Sequence, residues 1–142
     1  EPDGTGTDLA GTLDYLSKSM KQKSIVFIVS DFVAEGIDHP LKLLAQRHDI
    51  VAITVEDPSE LDLPDIGIAR LTDPESGETV YVDTSSNRVR DLYATQVGAE
   101  AESRKHLLRR LGIDQVAVST SGNYIEPLLK FFRSRETQAR RR

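Results

Sequence analysis

Two runs of apolar, largely β-branched residues, Ile25-Val26-Phe27-Ile28-Val29 and Ile50-Val51-Ala52-Ile53-Thr54-Val55, constrain this chain more than any other feature. Neither run alternates with polar residues, so neither suits a strand with one wet face. Continuous apolar runs of this length mark strands covered on both faces, as in a parallel sheet. Between them, Asp38-His39-Pro40 opens a short helical pattern in which Leu41, Leu43 and Leu44 lead to Arg47-His48. Proline in the first turn gives up an N–H that has no helical partner there, and cations suit the far end. Strand, helix, strand predicts a right-handed crossover, with the 25–29 strand expected at the centre of the sheet.

The same logic extends in both directions. Leu9, Leu13, Leu16 and Met20 recur at spacings of four, three and four, which predicts an amphipathic helix capped by Thr7 or Asp8. Residues 61–84 read as an inserted β-hairpin, with Ile66 to Leu71 and Thr79 to Val82 flanking the turn Asp73-Pro74-Glu75-Ser76-Gly77. From Ser85 a long helical pattern carries Val89, Leu92, Tyr93, Leu107, Leu108 and Leu111 on one side and stops at Gly112. Its middle, 98–106, is very polar. Gln115-Val116-Ala117-Val118 is a third buried strand, and Tyr124 to Phe132 a final helix.

The expected fold is therefore α/β, a three-layer Rossmann-like parallel sheet over residues 1–135, followed by a basic disordered tail at 136–142. Three parallel strands are few for such a sheet, and the chain opens on Glu1 rather than methionine. A truncated domain is expected, with further strands upstream in a longer parent.

At 142 residues and 38% hydrophobic the chain has the size of one domain. It has no cysteine, which removes disulfides, thiolate metal sites and cysteine nucleophiles. A net charge of −5 argues against nucleic-acid binding, which needs a basic face to neutralise phosphates. Arg133, Arg135, Arg140, Arg141 and Arg142 do crowd the end, and read as a solvated terminus. A nucleic-acid role for that tail would predict salt-dependent association lost on deleting residues 136–142. No apolar run approaches the roughly 18–20 residues that span a bilayer, and no leader pattern is present. The expectation is a cytoplasmic piece without membrane contact, whose parent could be anchored upstream.

In open α/β sheets, ligands gather at the carboxyl ends of the strands, which makes Ser30-Asp31, Glu56-Asp57 and Ser119-Thr120-Ser121 the candidate positions. Such oxygen ligands suit Mg²⁺ or Mn²⁺. One reading is a metal-dependent hydrolase using Asp31 with Glu56 or Asp57, though no nucleophile and base arrangement accompanies them. The opening Asp3-Gly4-Thr5-Gly6-Thr7-Asp8-Leu9-Ala10-Gly11 lacks both the third glycine of a dinucleotide loop and the Gly-Lys-Ser/Thr of a nucleotide loop. His39, His48 and His106 show no metal-ligand spacing and read as surface residues.

With these stretches in view, "GTGTDLAGTLDYL" and "SIVFIVSDF" resemble the second half of a von Willebrand factor A domain. That resemblance implies a metal-ion-dependent adhesion site with Thr7 as the second-loop threonine and Asp31 as the third-loop aspartate. The family's first loop, Asp-x-Ser-x-Ser, has no match; Asp83-Thr84-Ser85-Ser86-Asn87 fits a helix cap through Ser85 or Ser86 instead. Nearly the whole chain, through "VEDPSELDLPDIGIARLTDPESGETVYVDTSS" and "LGIDQVAVSTSGNYIEPLLKFFRSR", is similar to the carboxyl-terminal part of the bacterial domain of unknown function 58 family. The resemblance implies a non-enzymatic interaction or adaptor module working with a MoxR-type AAA+ ATPase in bacterial protein assembly or activation. Its contact face would lie around Thr7, Asp31 and Asp57. No cofactor is implied for this stretch, and Mg²⁺ only where an intact parent supplies the missing loop.

Overall fold

A computed structural model describes residues 8–72 and 77–139. In chain order the elements are α1 (Leu9–Ser19), β1 (Ile25–Ser30), α2 (Asp38–Arg47), β2 (Asp49–Glu56), a 3₁₀ turn (Pro58–Glu60), β3 (Ile68–Thr72), β4 (Thr79–Asp83), α3 (Asn87–Arg110), β5 (Asp114–Ser119) and α4 (Ile125–Ala139). Helix α1 begins where the Asp8 carboxylate accepts the Gly11 N–H at 2.7 Å. Glycine at position 11 leaves room for that carboxylate, which a Cβ there would force to shift.

The fold is α/β and Rossmann-like. Strands β1, β2 and β5 form a parallel sheet in that order, with Ile25 beside Asp49 and Ser30 beside Thr54, then Val51 beside Asp114 and Glu56 beside Ser119. Strands β3 and β4 make a separate antiparallel pair, Ile68 opposite Asp83. The buried Thr84 closes its base: the hydroxyl donates to the Gly67 carbonyl at 2.7 Å and accepts the Ile66 N–H at 3.1 Å.

The central strand is β2, not β1 as the apolar run suggested; among the described strands β1 pairs with β2 alone. Nor, among the described residues, is β1 fully covered on both faces. Val26 and Ile28 turn into the core, while Ile25, Phe27 and Val29 are 59%, 46% and 63% exposed. A run of apolar residues reports that a strand can be covered; it does not report which neighbours cover it.

Helices α1, α2 and α3 share one face of the sheet, where Leu13, Leu41, Leu44 and Leu108 pack with Ile28, Ile50 and Ala52. Burial of these side chains from water is the main force holding the layers together. The opposite face carries α4, whose Phe132 ring lies 5.9 Å from that of Phe27. Helix α4 runs to Ala139, so residues 136–139 continue the helix, and residues 140–142 lie outside the described residues. Arg135, grouped by sequence with the solvated arginines, is instead an anchor. It grips Asp49 with two hydrogen bonds of 2.8 and 2.7 Å, reaches Asp114 at 2.9 Å and lies over the Phe131 ring. The Arg135 guanidinium holds the Asp49 carboxyl below its ordinary range, and Asp49 in turn raises Arg135.

His48 is also not the surface residue its isolation in sequence suggested. It is 5% exposed, and its Nδ1 accepts the Ser24 N–H at 3.3 Å. The reason is positional: it closes α2 just where the chain enters β2, and the entry to a sheet is covered. His39 and His106 are exposed. Among the described residues, no helix is long and apolar enough to cross a membrane.

Candidate functional site

Beyond Ser30 the chain leaves β1 in a tight turn made by its own side chains. The Ser30 hydroxyl accepts the Phe32 N–H at 3.0 Å, and Asp31 Oδ1 accepts the Val33 N–H at 3.0 Å and the Ser30 hydroxyl proton at 3.3 Å. Between them Phe32 has φ 57°, the left-handed region that non-glycine residues rarely enter. Such a conformation costs about 1–3 kcal/mol. The cost is offset by burial of the ring, which is 6% exposed in the core.

A side chain from α3 completes the turn. Arg104 donates to the Asp31 carbonyl at 2.9 Å, and its Nη2 stands 3.5 Å from Glu56 Oε1 at the end of β2. Its side chain is only 14% exposed, and Nε is buried without a hydrogen-bond partner. One guanidinium thus spans the carboxyl ends of two adjacent parallel strands. Nothing in the sequence reading singled out Arg104. Its signal was the spacing Val97, Ala101, Arg104, Leu108 and Leu111, at intervals of four, three, four and three, which sets this cation on the inward stripe of α3.

Asp57 is bound up in local structure. Its Oδ1 accepts the Ser59 hydroxyl at 2.7 Å and the Ser59 N–H at 2.9 Å, which starts the 3₁₀ turn. The Ser59 hydroxyl first, its N–H next and the Thr120 hydroxyl hold the Asp57 carboxyl below its ordinary range. The Thr120 N–H donates to the Glu56 carbonyl at 3.0 Å, and the Ser119 and Ser121 hydroxyls lie 3.2 Å apart. The ends of β2 and β5 are in this way knitted into one rim.

The three strand ends named from sequence are therefore neighbours in space. Asp31, Glu56, Asp57 and Arg104 line one cleft of about 380 Å³, with Val55 and Tyr93 on its walls. On the other side of Asp31 a cleft of about 370 Å³ opens against Asp8, Ser30 and Glu35. A third, of about 550 Å³, lies between Phe32, Ile37, His106 and Arg110. The Asp31–Val33 turn is the partition between all three.

Thr7, paired with Asp31 by resemblance, lies outside the described residues. Mg²⁺ is held by one or two carboxylates with further oxygens in near-octahedral array. Among the described residues, no group of three His, Cys, Asp or Glu side chains comes together to hold an ion, and one Asp31 oxygen is already engaged in the turn. The described residues do not by themselves form a resident metal site. Chemically the rim offers a fixed carboxylate, a half-buried guanidinium and serine and threonine hydroxyls, a set suited to recognising a polar or cationic surface.

The family described as "Protein of unknown function DUF58" matches residues 1–103 of the 142. The chain belongs to the DUF58 family. The match ends one residue short of Arg104. Within curated proteins, this DUF58 chain is similar to uncharacterized protein MAV169 of Mycobacterium avium, 32% identical over 139 residues, 97% of this chain and 82% of that protein. It is 30% identical over 139 residues to uncharacterized proteins Mb1516 of Mycobacterium bovis and Rv1480 of Mycobacterium tuberculosis. The chain spans 44% of the length of each of those two relatives. No solved structure matches.

Proposed function

We propose that this DUF58 chain is a non-enzymatic protein-interaction module of von Willebrand factor A-like architecture, with the β3–β4 pair as its insertion, that works with a MoxR-type AAA+ ATPase in bacterial protein assembly or activation. Its contact face is the carboxyl rim of the sheet, with Asp31 and Asp57 on it. One observation carries this reading: the Asp31 turn is already ordered, pinned by the buried Phe32 ring and by the bond from Arg104 to its carbonyl. An exposed carboxylate on a pinned turn loses little entropy when a cationic group docks against it. Charge on such a rim also steers encounter and selects partners. Any Mg²⁺ at this rim would draw most of its oxygens from outside these residues.

The test is isothermal titration of the full-length protein against the ATPase. Asp31→Asn removes the charge but keeps an oxygen for the Val33 N–H, and should weaken binding about tenfold, ~1.4 kcal/mol. Asp31→Ala should weaken it at least as much. Unchanged affinity in both variants would take the rim out of the reading. Hydrolysis of a phosphate ester with Mg²⁺ or Mn²⁺, abolished by Asp31→Ala, would replace it with a metal-dependent hydrolase.

A further inference from the structure

The basic side chains of this acidic chain are unevenly placed, and one group of them surrounds a cleft. Against a net charge of −5, Lys18, Lys21, Lys23 and Arg47 gather around a cleft of about 490 Å³ that no acidic residue lines. A cleft of this volume has the size of a small-molecule site. Lys18 lies in the last turn of α1, Arg47 ends α2, and Lys21 and Lys23 sit on the link from α1 to β1. Because β1 and β2 run parallel, this is the amino end of the sheet, opposite the carboxyl rim that holds Asp31. Cations at the carboxyl end of a helix have an ordinary reason to be there, since they meet the partial negative charge of its last carbonyls. That reason covers two of the four: Arg47 Nη1 donates to the Ser17 carbonyl at 3.4 Å, and Lys18 pairs with Asp14 one turn back. It does not extend to Lys21 and Lys23, which follow α1, are exposed, and make no hydrogen bond or ion pair among the described residues. Asp49, whose charge Lys23 also favours, already has both oxygens held by Arg135. Positive charge is left over at this edge.

A second, independent feature lies in the same lining. His48 is its buried member, 5% exposed. The Nδ1 atom accepts the Ser24 N–H, so the neutral ring carries its proton on Nε2. That Nε2 is buried and has no hydrogen-bond partner among the described residues. A buried donor left unmatched costs free energy, and an acceptor oxygen removes the cost. Unpaired lysine charge and an unmatched imidazole N–H thus call for one kind of partner, an anion with several oxygens. The flexible stems of Lys18, Met20 and Lys21 share the lining and can move aside to let such an oxygen reach the ring. A single phosphate group carries a charge of about −1.5 to −2, less than the four cations around this cleft supply.

We propose that the cleft bounded by Lys18, Lys21, Lys23, Arg47 and His48 binds a small soluble molecule carrying two or more phosphate groups. Lys21 and Lys23 meet the phosphate charge, and the His48 Nε2–H donates to one phosphate oxygen. The site stands at the other end of the sheet from Asp31, so its test is separate from that of the rim.

Isothermal titration of the full-length protein with inorganic triphosphate decides the matter. Saturable binding is expected, at least about tenfold tighter than that of orthophosphate at the same ionic strength. Replacing both exposed lysines, Lys21→Ala with Lys23→Ala, should weaken triphosphate binding about tenfold or more. His48→Asn keeps an oxygen for the Ser24 N–H but removes the second ring donor, and should weaken it about threefold. Lys130→Ala, an exposed cation on α4, should leave it unchanged. The lysine pair, being exposed, reports on the site even where His48→Asn disturbs the fold. Three results would overturn the proposal. One is the lack of any saturable binding at millimolar triphosphate. Another is a loss in Lys130→Ala as large as that in the lysine pair, which would reduce the effect to diffuse attraction. The third is binding to phosphatidylglycerol vesicles, lost in the lysine pair, without saturable triphosphate binding, which would make the ligand a lipid surface.

Discussion

Phe32 holds a left-handed backbone with a bulky side chain, and the groups around it explain how. Its ring is buried, its N–H is taken by Ser30, and Arg104 holds the preceding carbonyl. Arg104→Ala would release the Asp31 carbonyl and leave Glu56 without its cation. Hydrogen bonds to charged groups contribute about 1.5–3 kcal/mol, so a loss near 2 kcal/mol is expected in urea unfolding. Exchange of the Val33 amide should quicken with it. Arg104→Lys should recover less than half, because a lysine places one point charge where the guanidinium reaches two strand ends. An Arg104→Ala protein with unaltered midpoint and exchange would show that the clamp contributes nothing. At this scale the sequence was a partial guide. Asp31 and Asp57 could be named because strand ends in α/β sheets present ligand-facing residues. Arg104 and His48 could not, since a polar residue's burial depends on what packs over it.

Between elements, the contact most exposed to test is that of α4 with the sheet. Arg135 joins α4 to Asp49 of β2 and Asp114 of β5. The folded Asp49 carboxyl titrates below its unfolded counterpart of about 3.9. Its contribution is thus fully present above that unfolded value and is lost as pH falls through the lower, folded one. Asp49 remains 38% exposed on its side chain, so solvent screens much of the attraction. Arg135→Ala is expected to cost about 1 kcal/mol at neutral pH, with the gap from wild type closing as the pH falls below the ordinary carboxylate range. Denaturant midpoints measured across that range check it; a gap of constant size would assign the effect to lost contact with the Phe131 ring. Sequence placed α4 but let it stop at Phe132 and gave its arginine to a solvated tail. Helix periodicity weakens once the apolar residues cease, whereas the ion pairs of Arg135 join positions 21 and 86 residues apart.

For the molecule as a whole, the energetic weight lies on one face of the sheet. Leu44 on α2 is fully buried in the core that includes Leu13, Ile50 and Ala52, while Leu129 on α4 is 49% exposed. Leu44→Ala should cost about 2–5 kcal/mol, a large share of the 5–15 kcal/mol that holds a domain folded. A fall in Tm of roughly 10 °C is expected. Leu129→Ala in the same chain should cost under about 1 kcal/mol. Comparable losses at both positions would mean that the α4 face is covered in solution. Local chemistry was enough to name the helices, the strands and their order, because periodic burial, caps and turn residues act within a few positions of themselves. Lateral order was left to the tertiary structure, which among the described strands put β2 rather than β1 at the centre and left one face of β1 only partly covered. It also brought Arg104 to Asp31 across 73 residues of chain. A strand's apolar residues carry the same pattern whichever neighbour buries them, and only the packed fold selects that neighbour.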